Sequence, residues 1–464
     1  MASQATCRGN QRARLGKRAR QRRRRQARTF VQCVHQFLTP EVFKQAGRAR
    51  RSKRSSPRWK VQPLVFVLFT MTWCMGDSTP ERFETARAFY VACHASRKRP
   101  GKTHQGFQDA LSKLPMKVLR GIGTAIRRQL LLQLGERLVT GGWRVFGCDG
   151  SRIECPRSVE LERRLGQAGK EGAAPTAWLT AVVHLRSGLL WAWRVGKGTA
   201  SEQAHLLELL LTLPPHSLVV TDAAYQGYEL AQDILATGAS FLVRVCSKTW
   251  LYTETDQPLE EFREGLVYYW PLQRQRRQEP PLLLRLIRVR SPGCKHDVWL
   301  LTNVLSSRLL SAAMAGQFYR WRWENEGLFR TYKRTLAKVK LTSRTVRLVH
   351  RELEGSLLAV QLMLAQAALK LHPCSSVWDE PVLASPRQVL REIRRDIRDS
   401  VRSVRRPAFA RRLAAATRER RRRTSGKTSR DWPRRKPHQP PGPPQLHTLT
   451  AEQKALRDQI LPAA

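Results

Sequence analysis

The residues best placed for chemistry lie in 317–338, QFYRWRWENEGLFRTYKRTLAK. The stretch has no proline and a single glycine, Gly327, and its composition predicts a helix. At about 100° per residue, Tyr319, Arg322, Glu326, Arg330 and Lys333 share one face, within a sector of about 80°. Phe318, Trp321, Leu328, Phe329, Tyr332 and Leu336 fall on the adjoining face, a broad apolar stripe for burial. The helix therefore offers one carboxylate, Glu326, set among cations, while Glu324 points elsewhere. A lone acid between Arg322 and Arg330 or Lys333 suits a site where a metal ion and a phosphate meet. The same spacing also suits a ladder of i,i+4 ion pairs on a solvated face, and the stretch alone does not choose between them.

Two aspartates upstream could join Glu326. Asp149 follows the apolar run 143–148 and opens Asp149-Gly150-Ser151; Asp222 ends the apolar run 218–221 ahead of a helix. Each has a plainer reading. Asp-Gly forms turns, and an Asp before a helix is often its N-cap. The elements between them decide whether they meet. Strand patterns occupy 143–148 with 153–155, 177–185 and 189–195, the last two joined by Arg186-Ser187-Gly188 as a hairpin. A polar, glycine-containing stretch at 162–175 reads as a surface loop. A helix opened by Ser201 as N-cap and stopped by Pro214-Pro215 comes next. The strand 218–221, a helix from Tyr228 capped by Gly238, and a fifth strand at 241–245 complete the series. Three strands, helix, strand, helix, strand is the order of the ribonuclease H-like fold, an α/β sheet with antiparallel and parallel members. Its first and fourth strands are neighbours, so Asp149 and Asp222 are expected to emerge together, with the 317–338 helix bringing Glu326 across. Three converging acids repel one another unless cations lie between them. Hard oxygen ligands suit Mg²⁺ or Mn²⁺. Two such ions about 3.5–4 Å apart can activate an attacking oxygen and stabilise a leaving one in phosphoryl displacement.

The remaining chain says what this core would act on. Lys and Arg number 84 against 36 Asp and Glu, a net charge of +48 over 464 residues. Charge of that size calls for a polyanion, nucleic acid first. Membrane surface is the weaker match, because the cations are spread along the whole chain. Nine cysteines, scattered and never spaced Cys-x2-Cys, argue against a zinc module and a disulfide framework and fit a reducing cytoplasm. The basic start has no apolar core behind it and does not read as a secretory signal. The apolar run 61–75 is too short to span a bilayer and reads as a buried helix. We read 1–27 as a disordered basic arm and 28–139 as a helical, basic region that binds DNA ends or merely packs on the core. Residues 140–345 form the catalytic domain, with a β-rich insertion at 246–300. Residues 346–410 read as helical, and 411–464 as a disordered basic, Pro-rich tail.

The spelling of three blocks adds more. Tyr319, Arg322, Glu326 and Lys333 match the Tyr-x2-Arg-x3-Glu-x6-Lys signature, and the chain resembles bacterial DDE transposases of the insertion-sequence-four family. Asp149-Gly150-Ser151 is similar to the family's Asp-Gly-Thr block, with Ser for Thr. Thr221-Asp222 with Tyr225 three residues on is similar to its second block. The resemblance spans roughly residues 140–340 and neither end of the chain. It implies that Asp149, Asp222 and Glu326 are catalytic metal ligands for two Mg²⁺ or Mn²⁺ ions. It also implies that Tyr319, Arg322 and Lys333 contact DNA, and Arg330 shares their face. Trp250, in the insertion, is a candidate for stacking an extruded base, or an ordinary core tryptophan. The implied activity is cut-and-paste cleavage and strand transfer on double-stranded transposon ends and target DNA. The implied setting is a homodimer on DNA in the bacterial cytoplasm, associated with the nucleoid and not with membrane. The rivals are an inactive or domesticated nucleic-acid binder, and a ribonuclease H-like nuclease without strand transfer.

Overall fold

A computed structural model describes residues 30–48, 59–94, 99–166, 172–290, 297–369, 377–378, 385–402, 409–414 and 442–461. The basic arm at 1–27, most of the basic linker at 48–60 and the stretch 415–441 of the tail lie outside the described residues.

One mixed sheet organises the chain. In sequence its strands are β1 Arg144–Glu154, β2 Thr176–His184, β3 Leu189–Lys197, β4 Ser217–Thr221 and β5 Ser240–Val245. There follow β6 Trp250–Thr253, β7 Glu264–Tyr269, β8 Leu282–Val289, β9 Val298–Thr302 and β10 Gln445–Thr448. The spatial order is β10-β6-β7-β8-β9-β5-β4-β1-β2-β3. Within it, β3-β2-β1 are antiparallel, and β1, β4 and β5 are parallel neighbours. That half is the ribonuclease H-like arrangement expected from the element order, with β1 beside β4. The parallel strands read as unbroken apolar runs because both faces of the sheet are covered.

Two local expectations change. The first strand does not stop at Asp149. β1 runs through Asp149-Gly150-Ser151 to Glu154, because β2 keeps pairing alongside it from His184 to Thr176. The Asp-Gly pair is therefore strand, not turn. Likewise the start of the expected loop, 162–165, belongs to a short helix, Val159–Leu165, capped by Ser158. The insertion supplies β6 to β9, and β9 pairs antiparallel with β5, so these strands extend the central sheet.

Helices cover the sheet from both ends of the sequence. Helix Val346–Ala368 lies against β3, where Gln361 Nε2 donates to the carbonyls of Leu190 and Trp191 at 3.1 and 2.8 Å. Helix Val61–Trp73, apolar all round, is buried as expected, and Trp73 Nε1 donates to Ala359 O at 3.2 Å. Among the described residues no helix is long and apolar enough to cross a membrane. Three helices, Phe30–His35, Pro40–Arg48 and Val61–Trp73, stand where two were expected before residue 75. Phe30 packs on Trp73 and Phe409 with ring centroids 5.0 and 5.2 Å apart, so the N-terminal and C-terminal helices share one core.

The tail is the largest correction. Phe409–Ala414 and Ala451–Ile460 are helices, and Gln445–Thr448 is β10, parallel to β6. Composition marked this region as unable to bury a core, but it borrows one: Leu449 packs with Tyr252 and the fully buried Trp270. Removing 442–461 should therefore strip the β6 edge and cost roughly 3 kcal/mol or more, at about 1.5–3 kcal/mol per buried apolar side chain. Thermal unfolding of the truncated protein should show a lower midpoint and aggregation; an unchanged midpoint would mean that β10 contributes nothing.

Candidate active site

The site is set by the register of β1 and β4. Gly147 is level with Val220, so two residues further along each strand lie Asp149 and Asp222. Asp149 Oδ1 accepts from the Gly150 N–H at 2.8 Å. Asp222 opens the short 3₁₀ turn Ala223–Tyr225 and its Oδ1 accepts from the Ala224 N–H at 2.9 Å. The N-cap reading of Asp222 is thus realised, and it does not compete with placement beside Asp149.

Side chains alternate along a strand, so Gly147, Asp149 and Ser151 share one face of β1. The signature segment lies along that face. Asn325, fully buried, sits over Gly147, its amide 2.7–2.8 Å from where a β-carbon would stand. At the other end Lys333 Nζ donates to Ser151 Oγ at 2.8 Å. Asp149 lies between these contacts. Gly147 is the residue that permits the approach.

The segment is not one straight helix. Helix Ala312–Trp321 ends, Arg322 and Trp323 form a break, helix Glu324–Arg330 follows, and Thr331–Thr335 is a π-helical turn. Arg322, only 12% exposed at its side chain, places Nη1 3.9 Å from Asp222 Oδ2. Its guanidinium lies over the rings of Tyr319 and Trp323, 5.5 and 5.3 Å from their centroids. Arg322 and Lys333 therefore reach the site from the two ends of the segment. Glu326 and Arg330 are exposed, and Glu326 makes no hydrogen bond or ion pair among the described residues. Among those residues no three His, Cys, Asp or Glu side chains group so as to hold a metal ion. The structure thus brings together Asp149, Asp222, Arg322, Tyr319 and Lys333, and not Glu326.

The opposite face of β1 carries an acid that the sequence reading passed over. Glu202 begins the helix Glu202–Leu210, behind its Ser201 cap, and packs against Gly150: a β-carbon there would lie 2.7 Å from Glu202 Cδ. Tyr225 Oη donates to Glu202 Oε2 at 2.9 Å and lies 3.6 Å from Cys148 Sγ. Burial first, then the charge of Asp222, pushes the Glu202 carboxyl up. An acid just after a helix cap ordinarily reads as a dipole partner, and only its helix's docking on Gly150 distinguishes it. Trp250 stands at the start of β6, 38% exposed, its ring 5.1 Å from that of His447. Its neighbour Thr249 donates to Gln226 Oε1 at 2.7 Å, which ties this strand start to the loop after Asp222.

Crowding of acids shows in Asp149. Burial, with the charges of Asp222 and Glu202, outweighs the Gly150 N–H and Arg322 and raises its carboxyl from 3.8 to about 6. An acid raised on folding opposes folding when ionised, by about 3 kcal/mol for two pH units, and that opposition fades as pH falls from about 6 to 4. Asp149→Asn should accordingly raise the unfolding temperature at pH 8 in chelator-containing buffer, with the gain shrinking towards pH 4. A pH-independent difference would contradict a raised carboxyl.

Residues 144–362 match the family model described as the transposase DDE domain. No curated protein matches the chain. A solved structure, the cryo-EM structure of the piggyBac transposase synaptic complex with hairpin DNA, is similar at 13% identity. That likeness covers 87% of this chain and 88% of that one at a TM-score of 0.40, too loose to bear on the fold, which the strand order settles. The carboxylate pair on β1 and β4 lies inside the matched stretch, so the likeness to transposase DDE domains takes in the candidate site itself.

Proposed function

We propose that this enzyme cuts and rejoins DNA at the ends of a mobile element of the insertion-sequence-four kind, by a cut-and-paste route. The observation that carries the reading is the Asp149–Asp222 pair on adjacent parallel strands, with Arg322 held against Asp222. DDE transposases use divalent metal ions, and the donors here fit one: they are carboxylate oxygens only, and burial first, then the charge of Asp222, raises Asp149. Asp149 and Asp222 would hold the ions, two Mg²⁺ or Mn²⁺ in our reading, with Glu326 as the third ligand implied by the signature. Bound there, such ions supply an activated attacking oxygen and charge for the leaving oxygen.

The chain's own residues do the rest. Arg322, stacked between two rings, presents a guanidinium of fixed orientation beside Asp222, suited to grip a phosphate bidentately. Lys333 adds an ammonium at Ser151, two residues from Asp149. Burial depresses the Lys333 pKa, so a phosphate that restores its partner charge is favoured there. Tyr319 supports Arg322 from below, Arg330 is exposed beside the segment, and Trp250 faces outward near the loop after Asp222. In our reading these contact the DNA end, and the helices of 30–139 contribute to end recognition. A homodimer working on DNA in the cytoplasm, at the nucleoid, completes the proposal.

Parallel assays of end binding and cleavage test it. Asp149→Asn, Asp222→Asn and Glu326→Gln should each abolish cleavage while retaining DNA binding. Lys333→Ala and Arg322→Ala should weaken end binding about ten-fold or more, each charge-assisted hydrogen bond contributing roughly 1.5–3 kcal/mol. Cleavage near the wild-type rate by either aspartate variant sinks the assignment. Full activity of Glu326→Gln beside an inactive Glu202→Gln would instead make Glu202 the third carboxylate.

A further inference from the structure

Helix Pro386–Val401 has two unlike sides. Val389, Leu390, Ile393 and Ile397 are buried in the core. Two of its three acids are buried too. Glu392 and Asp396 face Arg412, at 2.7 and 2.9 Å, and Asp396 also accepts from the Phe30 N–H at 3.3 Å. With those carboxylates turned inward and neutralised, Arg387, Arg391, Arg395, Arg398 and Arg402 stand exposed at spacings of four, four, three and four. That spacing makes one stripe about 22 Å long. The stripe lines a groove of about 1580 Å³ whose other wall includes Glu84, Thr85 and Ala88 of helix Thr79–Cys93. Asp399 lies 3.5 Å from Arg398, and Glu392, which also lines the groove, lies 3.9 Å from Arg391.

The groove does not end blindly. Arg334 and Thr335 line it, and both belong to the π-helical turn Thr331–Thr335 that also holds Lys333, which reaches Ser151 in the active site. Successive residues of one turn thus point to the site and to the groove.

We infer that this arginine-lined groove is a binding track for the backbone of duplex DNA, leading away from the active site. The inference rests on the transposase reading and assigns a path that the signature residues do not. Three features favour duplex DNA. The stripe runs about the axial length of six base pairs, at roughly 3.4 Å per pair. Guanidinium forks fit phosphate oxygens bidentately. The helix's apolar face is buried in the core and so cannot enter lipid. DNA anchored by Lys333 at the site would meet Arg334 next and then the stripe.

The test uses the full chain and two triple variants of residues outside the active site. In one, Arg391, Arg395 and Arg398 become Gln; in the other, Lys. Binding of a duplex of about 40 base pairs is titrated against salt, where each phosphate contact contributes a slope of about 0.9. The Gln triple should lose between two and three from the slope and bind more than ten-fold more weakly at low salt. The Lys triple should keep most of the slope, and Asp149→Asn all of it. Wild-type slope and affinity in the Gln triple overturn the inference. So does an equal loss in the Lys triple, which would mark a packing role, or a loss seen with single-stranded RNA and not with duplex DNA. If the wild type binds but never cleaves, the catalytic reading fails while the slopes still decide the groove.

Discussion

The constraint on which this structure turns is the parallel pairing of β1 with β4 in one register. It sets Asp149 and Asp222 side by side at about the separation of adjacent strands, and it does so inside the protein, where like charges repel most. Burial and neighbouring carboxylates together raise Asp149 to about 6. Such an arrangement is unfavourable for stability and useful for chemistry, since a site that repels itself attracts cations.

What holds this unfavourable pair in place is packing on both faces of β1. Gly147 admits Asn325 and the signature segment on one face; Gly150 admits Glu202 and Trp178 on the other. A β-carbon at either glycine would collide, so these positions fix how closely the two helices approach the strand. The sheet is itself clamped by helix Val346–Ala368, whose Glu354 accepts from Trp193 Nε1 at 2.7 Å and whose backbone accepts from Trp73. Chain ends far apart in sequence meet over that helix, so the N-terminal and C-terminal helices share one core with a face of the sheet.

Charge is sorted as strictly as apolarity. On helix Pro386–Val401 Glu392 and Asp396 pair with Arg412, while Arg387, Arg391, Arg395 and Arg398 are exposed. On the signature segment Arg322 is turned to Asp222 and Lys333 to Ser151. A net charge of +48 thereby becomes directed and not diffuse, with cations flanking the carboxylate pair on one side and lining a groove on the other.

The sequence by itself determined the sheet's order and the pairing of Asp149 with Asp222. Apolar runs, proline stops and the Ser201 cap are local signals, and strand adjacency in this fold follows from element order. The spelled motif also singled out Arg322 and Lys333, which the structure sets beside Asp222 and Ser151. Tertiary structure decided the rest. A helical wheel put Arg322 and Glu326 on one face, whereas the structure sets Arg322 beside Asp222 and leaves Glu326 exposed. Gly150 looked like a turn glycine because its true reason, the approach of Glu202 and Trp178, comes from residues far along the chain. The 442–461 segment looked structureless because its core belongs to β6 and Trp270. Local pattern reveals what a residue can do with its neighbours in sequence; only the assembled sheet showed which distant groups would be there to meet it.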